Sequence, residues 1–329
     1  MEKIIINLIV SFAVSLVAFL ALIPLLYKFK FGQSIRECGP ESHKKKAGTP
    51  TMGGIGFMLA IIIASFIFPL DIRGYVVLAF AFVCGLVGGI DDALIIKRGK
   101  NEGLSVKQKT VLLLVLDVAF VFILKYMGLT DTKIALPFTS VTWDLWYFYY
   151  PLAVLGIFYV VNTVNLTDGV DGLAGSVTTV VCVFLAIILY MKNIMGLSFL
   201  AASAVGALIA YLFFNIHPAK VFMGDTGSLF LGGLVTGICV AIGNPLLIVI
   251  MGIFYIFEGL SVVIQVSWFK LMKAKYGPEE AKKRKIFKMS PYHHHLEYSG
   301  YSENQVVLIA SLITLVACVI GLFATVNII

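Results

Sequence analysis

Residues 304–326 read NQVVLIASLITLVACVIGLFATV and contain no charged side chain. About 20 predominantly apolar residues are enough for a helix to cross the hydrocarbon core of a bilayer. Further apolar runs cover residues 5–27, 51–69, 74–90, 109–126, 148–165, 172–191, 196–214, 228–243 and 245–268. The sequence therefore predicts an all-α, polytopic integral membrane protein with about ten transmembrane helices, forming a single domain over residues 1–329.

The composition agrees with a chain that uses lipid as part of its solvent. Of the 329 residues, 60% are hydrophobic and only 13% are charged. Soluble globular domains carry about 25% charged residues. None of the five cysteines is close enough to another to form a C-x-x-C pair. This spacing disfavours a disulfide framework or a zinc cluster, and buried thiols are expected.

The distribution of lysine and arginine predicts the orientation in the membrane. If both termini face outward, the cytoplasmic loops hold 20 of the 25 basic residues. The remaining five would lie outside: Lys3, Arg73, Lys125, Lys133 and Lys192. The opposite orientation would reverse this ratio, so we expect both termini to lie outside.

Five aspartates then fall at the cytoplasmic ends of three apolar runs. Asp91 and Asp92 end the third run, Asp168 and Asp171 end the fifth, and Asp225 opens the eighth. Carboxylates at one depth repel each other unless a cation or basic groups neutralise them. A solvated helix edge explains any single one more easily than it explains all five. Such oxygen ligands favour Mg²⁺ or Mn²⁺, with phosphates completing the coordination.

Short polar motifs accompany these carboxylates. In the segment 165–172, NLTDGVDG, Asn165, Asp168 and Asp171 recur every third residue and would share a face on a helical end. Segments 48–54, GTPTMGG, and 222–228, FMGDTGS, each precede or open an apolar run. Helix starts of this kind attract phosphate. Helix capping alone explains either segment about as well.

Several polar residues have two open interpretations. His293, His294 and His295 are adjacent, and neighbouring side chains on a helix point about 100° apart, so convergence on one ion is not expected. They would donate to phosphate or carry protons, or else belong to a solvated loop. Asp117 and Glu258 lie within apolar runs, where acids indicate either function or a tie between helices.

Together these segments resemble the polyprenyl-phosphate N-acetylhexosamine-1-phosphate transferase superfamily. Within it, the match is to the bacterial phospho-N-acetylmuramoyl-pentapeptide transferases. The residues that carry the resemblance are the Asp91-Asp92 pair, segments 48–54, 165–172 and 222–228, and PYHHHLE at 291–297. They occur in the expected order between residues 42 and 297.

The resemblance implies an Mg²⁺-dependent, homodimeric enzyme of the bacterial plasma membrane, with its active site on the cytoplasmic face. Its substrates would be UDP-MurNAc-pentapeptide and undecaprenyl phosphate. It would release UMP and form the first lipid-linked peptidoglycan precursor. The lipid bilayer is an implied partner and nucleic acid is not.

The resemblance also implies roles for individual residues. Asp225 would be the metal ligand, with Asp91 and Asp92 near the lipid phosphate and Asp91 as a candidate base. Lys109 would contact phosphate, although Lys107 is close enough to leave that choice open. The full implied catalytic set is Asp91, Asp92, Lys109, Asp225 and His293. The implied substrate-binding residues are Lys46, Thr51, Asn165, Asp168, Gly169, Asp171, Asn215, Phe222, Gln265, His294 and His295, with Phe222 available to stack on uracil.

Three other functions compete with this one. A cation-coupled transporter would place its acids near the membrane midplane, in broken helices. An intramembrane aspartyl protease is another candidate, because Asp225-Thr226-Gly227-Ser228 imitates the motif of soluble aspartic proteases, but those proteins are β-rich and need a paired aspartate. A sister transferase would use a UDP-N-acetylhexosamine without peptide, and the His-His-His-Leu-Glu segment argues against it by resemblance alone.

Overall fold

A computed structural model describes residues 1–28, 48–99 and 102–326. The helices in the first half are α1 (Glu2–Lys28), α2 (Gly54–Ile67), α3 (Ile72–Arg98), α4 (Val106–Tyr126), α5 (Tyr149–Thr167) and α6 (Leu173–Met191). Those in the second half are α7 (Met195–Asn215), α8 (Gly224–Ala241), α9 (Leu246–Met251), α10 (Ile253–Tyr276), α11 (Pro278–Lys283), α12 (Tyr292–Glu297) and α13 (Glu303–Val326). Strands β1 (Lys133–Ala135) and β2 (Thr142–Asp144), followed by a 3-10 turn (Trp146–Phe148), lie between α4 and α5.

Eight of the described helices are long and apolar enough to cross a membrane. They are α1, α3, α5 with the preceding 3-10 turn, α6, α7, α8, α10 and α13. Of the other two predicted runs, 51–69 forms the 14-residue α2, and 109–126 forms α4, which carries lysines at both ends and Asp117 midway. The membrane class is therefore confirmed, with eight candidate spanning helices among the described residues where about ten were predicted.

Two helix boundaries differ from those predicted. Asp91 and Asp92 do not end their helix, because α3 continues to Arg98 and stops at Gly99, whose φ of 61° is left-handed. The run 245–268 divides at Gly252 into α9 and α10. Both carboxylates therefore lie on a buried helical face rather than at a frayed end.

A ladder of side-chain hydrogen bonds joins α1 to α7. Asn7 donates to the carbonyl of Phe199 at 2.7 Å, Ser11 to that of Ser203 at 2.7 Å, and Ser15 to that of Ala207 at 2.9 Å. Because side chains four residues apart lie above one another on a helix, these bonds form parallel rungs. Gly206 of α7 adds a close approach, since a Cβ there would meet the backbone of α1. Small residues and interhelical hydrogen bonds are what hold helices together in lipid.

Helix α8 lies at the centre of the bundle and packs most closely on α3. The 18-residue stretch of α8 is 89% buried. A Cβ at Gly233 of α8 would lie 3.2 Å from the Cα of Ala81, and one at Gly85 of α3 would lie 3.1 Å from the Cβ of Phe230. At Gly88 a Cβ would overlap the backbone of Asp225. These glycines let the two backbones approach until the carboxylates of α3 reach the start of α8.

The apolar interior also contains reactive groups that take no part in this contact. The described cysteines are all buried free thiols, as expected: Cys84, Cys182, Cys239 and Cys318. Asp117 is fully buried in α4. Neither of its carboxyl oxygens has a hydrogen-bond partner among the described residues. Asp117 thus does not tie its helix to a neighbour through a hydrogen bond within the described part of the chain.

The β hairpin is the one sheet in the described part of the fold. Its antiparallel register places Ile134 opposite Trp143. Asp144 accepts hydrogen bonds from the Thr132 hydroxyl at 2.6 Å and the Trp146 amide at 2.9 Å. These bonds, led by the one from Thr132, lower the pKa of Asp144. They fix the turn from the hairpin into α5, and both tryptophans stay exposed, as suits a membrane interface.

Candidate active site

Asp225 lies in the first turn of α8, where side chains from two other helices reach it. Asn165, near the end of α5, donates from Nδ2 to Oδ1 of Asp225 at 2.8 Å and to the hydroxyl of Ser228 at 2.8 Å. Lys109, from α4, donates from Nζ to the other carboxylate oxygen. Both oxygens of Asp225 therefore have a cross-helix donor, and this residue is the junction of the site.

The start of α4 fixes the position of Lys109. A capping box closes this helix end. The backbone amide of Gln108 donates to the Ser105 hydroxyl at 3.2 Å, and the backbone amide of Ser105 donates to Oε1 of Gln108 at 3.0 Å. Lys109 follows directly, and its Nζ also lies 3.7 Å from Oδ2 of Asp91. Lys107 is exposed. Of these two lysines, Lys109 is the one that joins the carboxylates.

Asp91 and Asp92 are adjacent but make different contacts. Asp92 accepts hydrogen bonds from the Asp225 amide at 3.1 Å, from the Thr226 amide at 2.9 Å and from the Thr226 hydroxyl at 2.6 Å. A carboxylate in this position stabilises a helix start, because it satisfies free N–H groups and opposes the helix dipole. Asp91 accepts from the Leu104 amide and faces Lys109. Within this carboxylate cluster, Asp92 thus holds α8 on α3, while Asp91 faces the Lys109 ammonium.

The charges of this cluster fit a divalent cation. Asp91, Asp92 and Asp225 supply only oxygen donors, which are the ligands that Mg²⁺ prefers. If all three are ionised, the Lys109 ammonium balances one of the three negative charges. The ammonium lies between Asp91 and Asp225, so the structure already stabilises a positive charge there. A divalent ion would supply the charge that the cluster lacks.

The two predicted helix-start motifs pair through their backbones. The Phe222 amide donates to the Pro50 carbonyl at 2.8 Å, and the Gly53 amide donates to the Phe222 carbonyl at 2.8 Å. Thr51 is buried, and its hydroxyl and the Asp92 carboxylate both lie beside Gly224. The backbone of the half-buried Phe222 is thereby fixed against segment 48–54, two residues before Gly224. Lys46 lies outside the described residues.

The segment 165–172 does not form one helical face, so that expectation is wrong. Helix α5 ends at Thr167, Asp168 is its cap, and Gly172 has a left-handed φ of 79° that starts α6. Asn165 reaches Asp225, whereas Asp171 makes its contacts elsewhere. A chain that turns at a glycine loses the three-residue spacing that a continuous helix would keep.

Asn215 holds this turn in place. Its Oδ1 accepts from the Gly172 amide at 2.9 Å, and its Nδ2 donates to the Val221 carbonyl at 2.8 Å. Asn215 is 2% exposed. Its amide therefore connects the 165–172 turn to the segment that leads into Phe222.

Asp171 belongs to a second group of titratable side chains. Its Oδ2 accepts from the Ala219 amide at 3.0 Å and lies 3.1 Å from Nδ1 of His217. The same imidazole nitrogen is 3.4 Å from Oε1 of Glu303, and the Asp171 amide donates to Oε2 of Glu303 at 3.1 Å. The ligand atoms of Asp171, His217 and Glu303 lie within 4.8 Å of one another, which is close enough to hold a metal ion. This group joins the start of α13 to the turn that precedes α6.

The three histidines lie in the short helix α12, and each ring faces a different group. Nδ1 of His293 lies 2.9 Å from Oε2 of Glu258, and Nδ1 of His294 lies 2.7 Å from Oε2 of Glu297. Nδ1 of His295 accepts from the backbone amide of Lys288 at 3.1 Å. A carboxylate only accepts, and an amide N–H only donates, so the rings cannot all have the same tautomer. The expectation that they do not converge on one ion is confirmed for their Nδ1 atoms.

Gln265 holds the segment that precedes α12. Its side-chain amide donates to the Phe287 carbonyl at 3.2 Å and accepts from the Phe287 amide at 3.0 Å. One turn further along α10, the Trp268 indole donates to the Arg284 carbonyl at 2.7 Å. Because both ends of the Gln265 amide are engaged, its contacts in this structure orient the histidine segment.

Sequence reasoning missed His217 and Glu303 as partners in the site and left Glu258 undecided. His217 is close in sequence to Asn215, and Glu303 opens the last apolar run, so their positions were a usable signal. Their pairing with Asp171 depends on how α7 and α13 meet, which no local pattern contains.

The fold and the site together define an enzyme embedded in the membrane, with a charged cluster at helix ends suited to phosphate chemistry.

Comparisons with known proteins give the family. The sequence model described as Glycosyl transferase family 4 matches residues 75–243, and the one described as Phospho-N-acetylmuramoyl-pentapeptide-transferase signature 1 matches residues 46–57. The chain is 43% identical to a phospho-N-acetylmuramoyl-pentapeptide-transferase of Clostridium novyi over 99% of its own length and 98% of that protein's. It is 45% identical to one of Clostridium perfringens, over 97% and 96% of the two lengths. The chain belongs to the phospho-N-acetylmuramoyl-pentapeptide-transferase family, which confirms the resemblance found in its motifs.

Proposed function

We propose that this chain transfers phospho-N-acetylmuramoyl-pentapeptide from UDP-MurNAc-pentapeptide to undecaprenyl phosphate. The products are UMP and the first lipid-linked peptidoglycan precursor. The observation that carries the proposal is the junction at Asp225, where Lys109, Asn165 and the carboxylates of α3 meet at one end of a membrane bundle. A lipid phosphate and a soluble nucleotide can meet only where the membrane ends.

The reaction needs positioning and charge neutralisation more than covalent help from the protein. An oxygen of undecaprenyl phosphate attacks the phosphorus that carries the sugar, and the bond from that phosphorus to UMP breaks. A phosphate monoester is already largely dianionic at neutral pH, so it needs little deprotonation. Asp91 is the candidate base for any remaining proton. The Lys109 ammonium offsets negative charge as it moves to the departing UMP.

Mg²⁺ is the proposed cofactor, and Asp225 is its proposed ligand. When bound, the ion would offset charge on the donor diphosphate. Asp225 is suited to this task because Asn165 and Lys109 hold its two oxygens. Both groups bind a carboxylate less strongly than a divalent ion does. Lys109 would then be released toward phosphate.

We assign the donor nucleotide to the region beside this carboxylate cluster. We assign Phe222 to stack on uracil, the turn with Asp168, Gly169 and Asp171 to the nucleotide site, and Thr51 to the same site beside the carboxylates. Asn165, Asn215 and Gln265 act in this assignment mainly by holding other groups in place. Lys46, His294 and His295 are assigned to substrate by family resemblance.

The placement in the membrane is also a proposal. The 20:5 distribution of basic residues supports both termini outside, about ten crossings including α2 and α4, and the site on the cytoplasmic face of a bacterial plasma membrane. A homodimer is proposed from the family alone. Sedimentation of the detergent-solubilised protein, with bound detergent subtracted, tests the dimer through its mass.

The function itself is tested by giving purified protein a choice of donors. UDP-MurNAc-pentapeptide and UDP-N-acetylglucosamine are supplied separately with undecaprenyl phosphate, and the lipid product is identified by mass spectrometry. We expect UMP and a lipid-linked product from the first donor alone. Efficient use of the second would instead assign the chain to the sister transferases.

A further inference from the structure

Glu258 and His293 form a two-point contact inside the protein. Oε1 of Glu258 accepts from the backbone amide of His293 at 3.1 Å, and Oε2 lies 2.9 Å from Nδ1 of the imidazole. The side chains are 0% and 1% exposed. Glu258 comes from α10 and His293 from α12, so one carboxylate fixes both the backbone and the ring of its partner.

This contact determines which imidazole nitrogen carries hydrogen. A carboxylate accepts hydrogen bonds and cannot donate them, so Nδ1 of His293 must be protonated. The other ring nitrogen, Nε2, is buried and has no hydrogen-bond partner among the described residues. A buried imidazole nitrogen without a partner is costly, and such groups in native proteins call for an explanation.

The position of Nε2 supplies that explanation. A Cβ added at Gly169 would overlap Nε2 and would lie 2.7 Å from Cε1 of the same ring. Gly169 lies four residues after Asn165, which holds Asp225 at 2.8 Å. The unused nitrogen therefore lies against the turn that follows α5, the helix whose Asn165 holds the charged cluster. Contacts in such sites often tighten only when substrate binds.

We propose that Glu258 is a positioning residue, which holds His293 so that Nε2 donates to a phosphate oxygen of the donor nucleotide. This proposal rests on the proposed function, since it requires a phosphorylated substrate. Anionic phosphate oxygens only accept, so Nε2 must carry a second hydrogen when it contacts one. The buried carboxylate of Glu258 balances the positive charge that this ring then holds.

The variant Glu258→Gln tests the idea with little change in shape. In glutamine one of the two oxygen positions becomes an NH₂ group, so in the same geometry either the His293 amide or Nδ1 loses its acceptor. We expect kcat to fall about 10–100-fold, the size of loss found when the hydrogen-bond partner of a metal-bound histidine is removed. The KM for undecaprenyl phosphate should stay within about twofold, because His293 faces the donor. A loss of folding that raised both KM values together would contradict a positioning role.

A double-mutant cycle separates positioning from independent effects. His293→Ala alone should be at least as harmful as Glu258→Gln, and adding Glu258→Gln to it should change kcat no further. Multiplying losses would overturn the proposal. Tyr159→Phe is the matched control, since the Tyr159 hydroxyl donates to the Ile256 carbonyl at 2.9 Å on the same helix but does not contact His293. It should leave kcat unchanged.

The resting protein gives a readout that does not depend on turnover. In protein labelled with ¹⁵N at histidine, the His293 resonance, assigned by its loss in His293→Ala, should report a protonated Nδ1, and Glu258→Gln should shift it. An Nδ1 without hydrogen in the parent would overturn the role of Glu258. A parent with the expected tautomer but no transfer from UDP-MurNAc-pentapeptide would overturn the proposed function instead.

Discussion

Asn165 and Asp225 are separated by 60 positions in the chain, yet Nδ2 of the first lies 2.8 Å from Oδ1 of the second. The same amide also reaches Ser228, one turn further along α8. Asn165 thus sets the rotation of Asp225 and leaves its other oxygen to Lys109. The proposed metal ligand is preorganised by neutral and cationic donors from two different helices.

Removal of the Asp225 charge should abolish most of the activity without unfolding the protein. In Asp225→Asn the side chain keeps its size, but it loses the charge that Lys109 and the proposed Mg²⁺ require. We expect a loss on the order of 10²–10³ in kcat or more, typical of one preorganised electrostatic contact. Turnover and elution from a sizing column check this. A well-folded variant with near-normal turnover, or a parent fully active in excess chelator, would refute the metal assignment.

Lys107 and Lys109 provide a matched pair. Lys109→Met removes the ammonium between Asp91 and Asp225 and should lower kcat by about 10²-fold, because the carboxylates then lack their counter-charge. Lys107→Met removes an exposed lysine two residues away and should leave kcat nearly unchanged. Steady-state kinetics with saturating substrates measures both. Equal losses from the two variants would show that the structure places the wrong lysine in the site.

Asp91 and Asp92 should differ in what their loss affects. Asp92→Asn leaves the Asp225 amide and the two donors of Thr226 with a poorer acceptor, so unfolding should become easier by about 2–3 kcal/mol. Asp91→Asn should slow turnover while stability and nucleotide binding stay close to those of the parent. Thermal unfolding in detergent and titration with UMP distinguish the two. Identical stability losses would contradict the separate roles.

Asp117 should be dispensable, and its replacement should stabilise the protein. Both carboxyl oxygens are buried without a hydrogen-bond partner among the described residues. Leaving such a group unsatisfied costs about 1–3 kcal/mol. Asp117→Leu should therefore unfold at a higher temperature, Asp117→Asn should gain less, and both should keep parental kcat. Destabilisation by the leucine variant would show that Asp117 has a partner in the membrane-embedded protein.

Single cysteines test the orientation in the membrane. The buried native thiols should not react, so after Cys38→Ser the new cysteine dominates the labelling. We expect Lys133→Cys, in β1, to react with an impermeant maleimide on intact cells. Lys107→Cys and Lys282→Cys should react only after the membrane is opened. The reverse pattern would place the site on the outer face and contradict the positive-inside assignment.

The membrane class and the family could be read from the sequence because both depend on local features, the apolar runs and the short motifs. Uninterrupted apolar runs predict spanning helices, and the motifs around Asp91, Asp225 and His293 carry a family resemblance that the comparisons confirm. The division of 245–268 at Gly252 could not be read, since a single glycine in an apolar run is compatible with a continuous helix. The hairpin was also missed, because each of its strands has only three residues.

The contacts between segments were beyond sequence reasoning for a different reason. Asn165 and Asp171 were expected to share a face, but a glycine turn sends one to Asp225 and the other to His217. Glu258 was recognised as unusual, yet its partner comes from a segment 35 positions away. Which helix ends meet depends on packing across the whole bundle, and a single sequence contains no record of that.

The polar ladder between α1 and α7 has a consequence for how the protein is made. Each rung joins residues separated by 192 positions, which a ribosome needs roughly 10–40 s to cover at about 5–20 residues per second. During that time the hydroxyls of Ser11 and Ser15 can donate to carbonyls of their own helix. The Asn7 side chain has two N–H donors, and a single carbonyl does not satisfy both. The polar face of α1 therefore lacks its partners until α7 has been synthesised, so this ladder forms late in the assembly of the bundle.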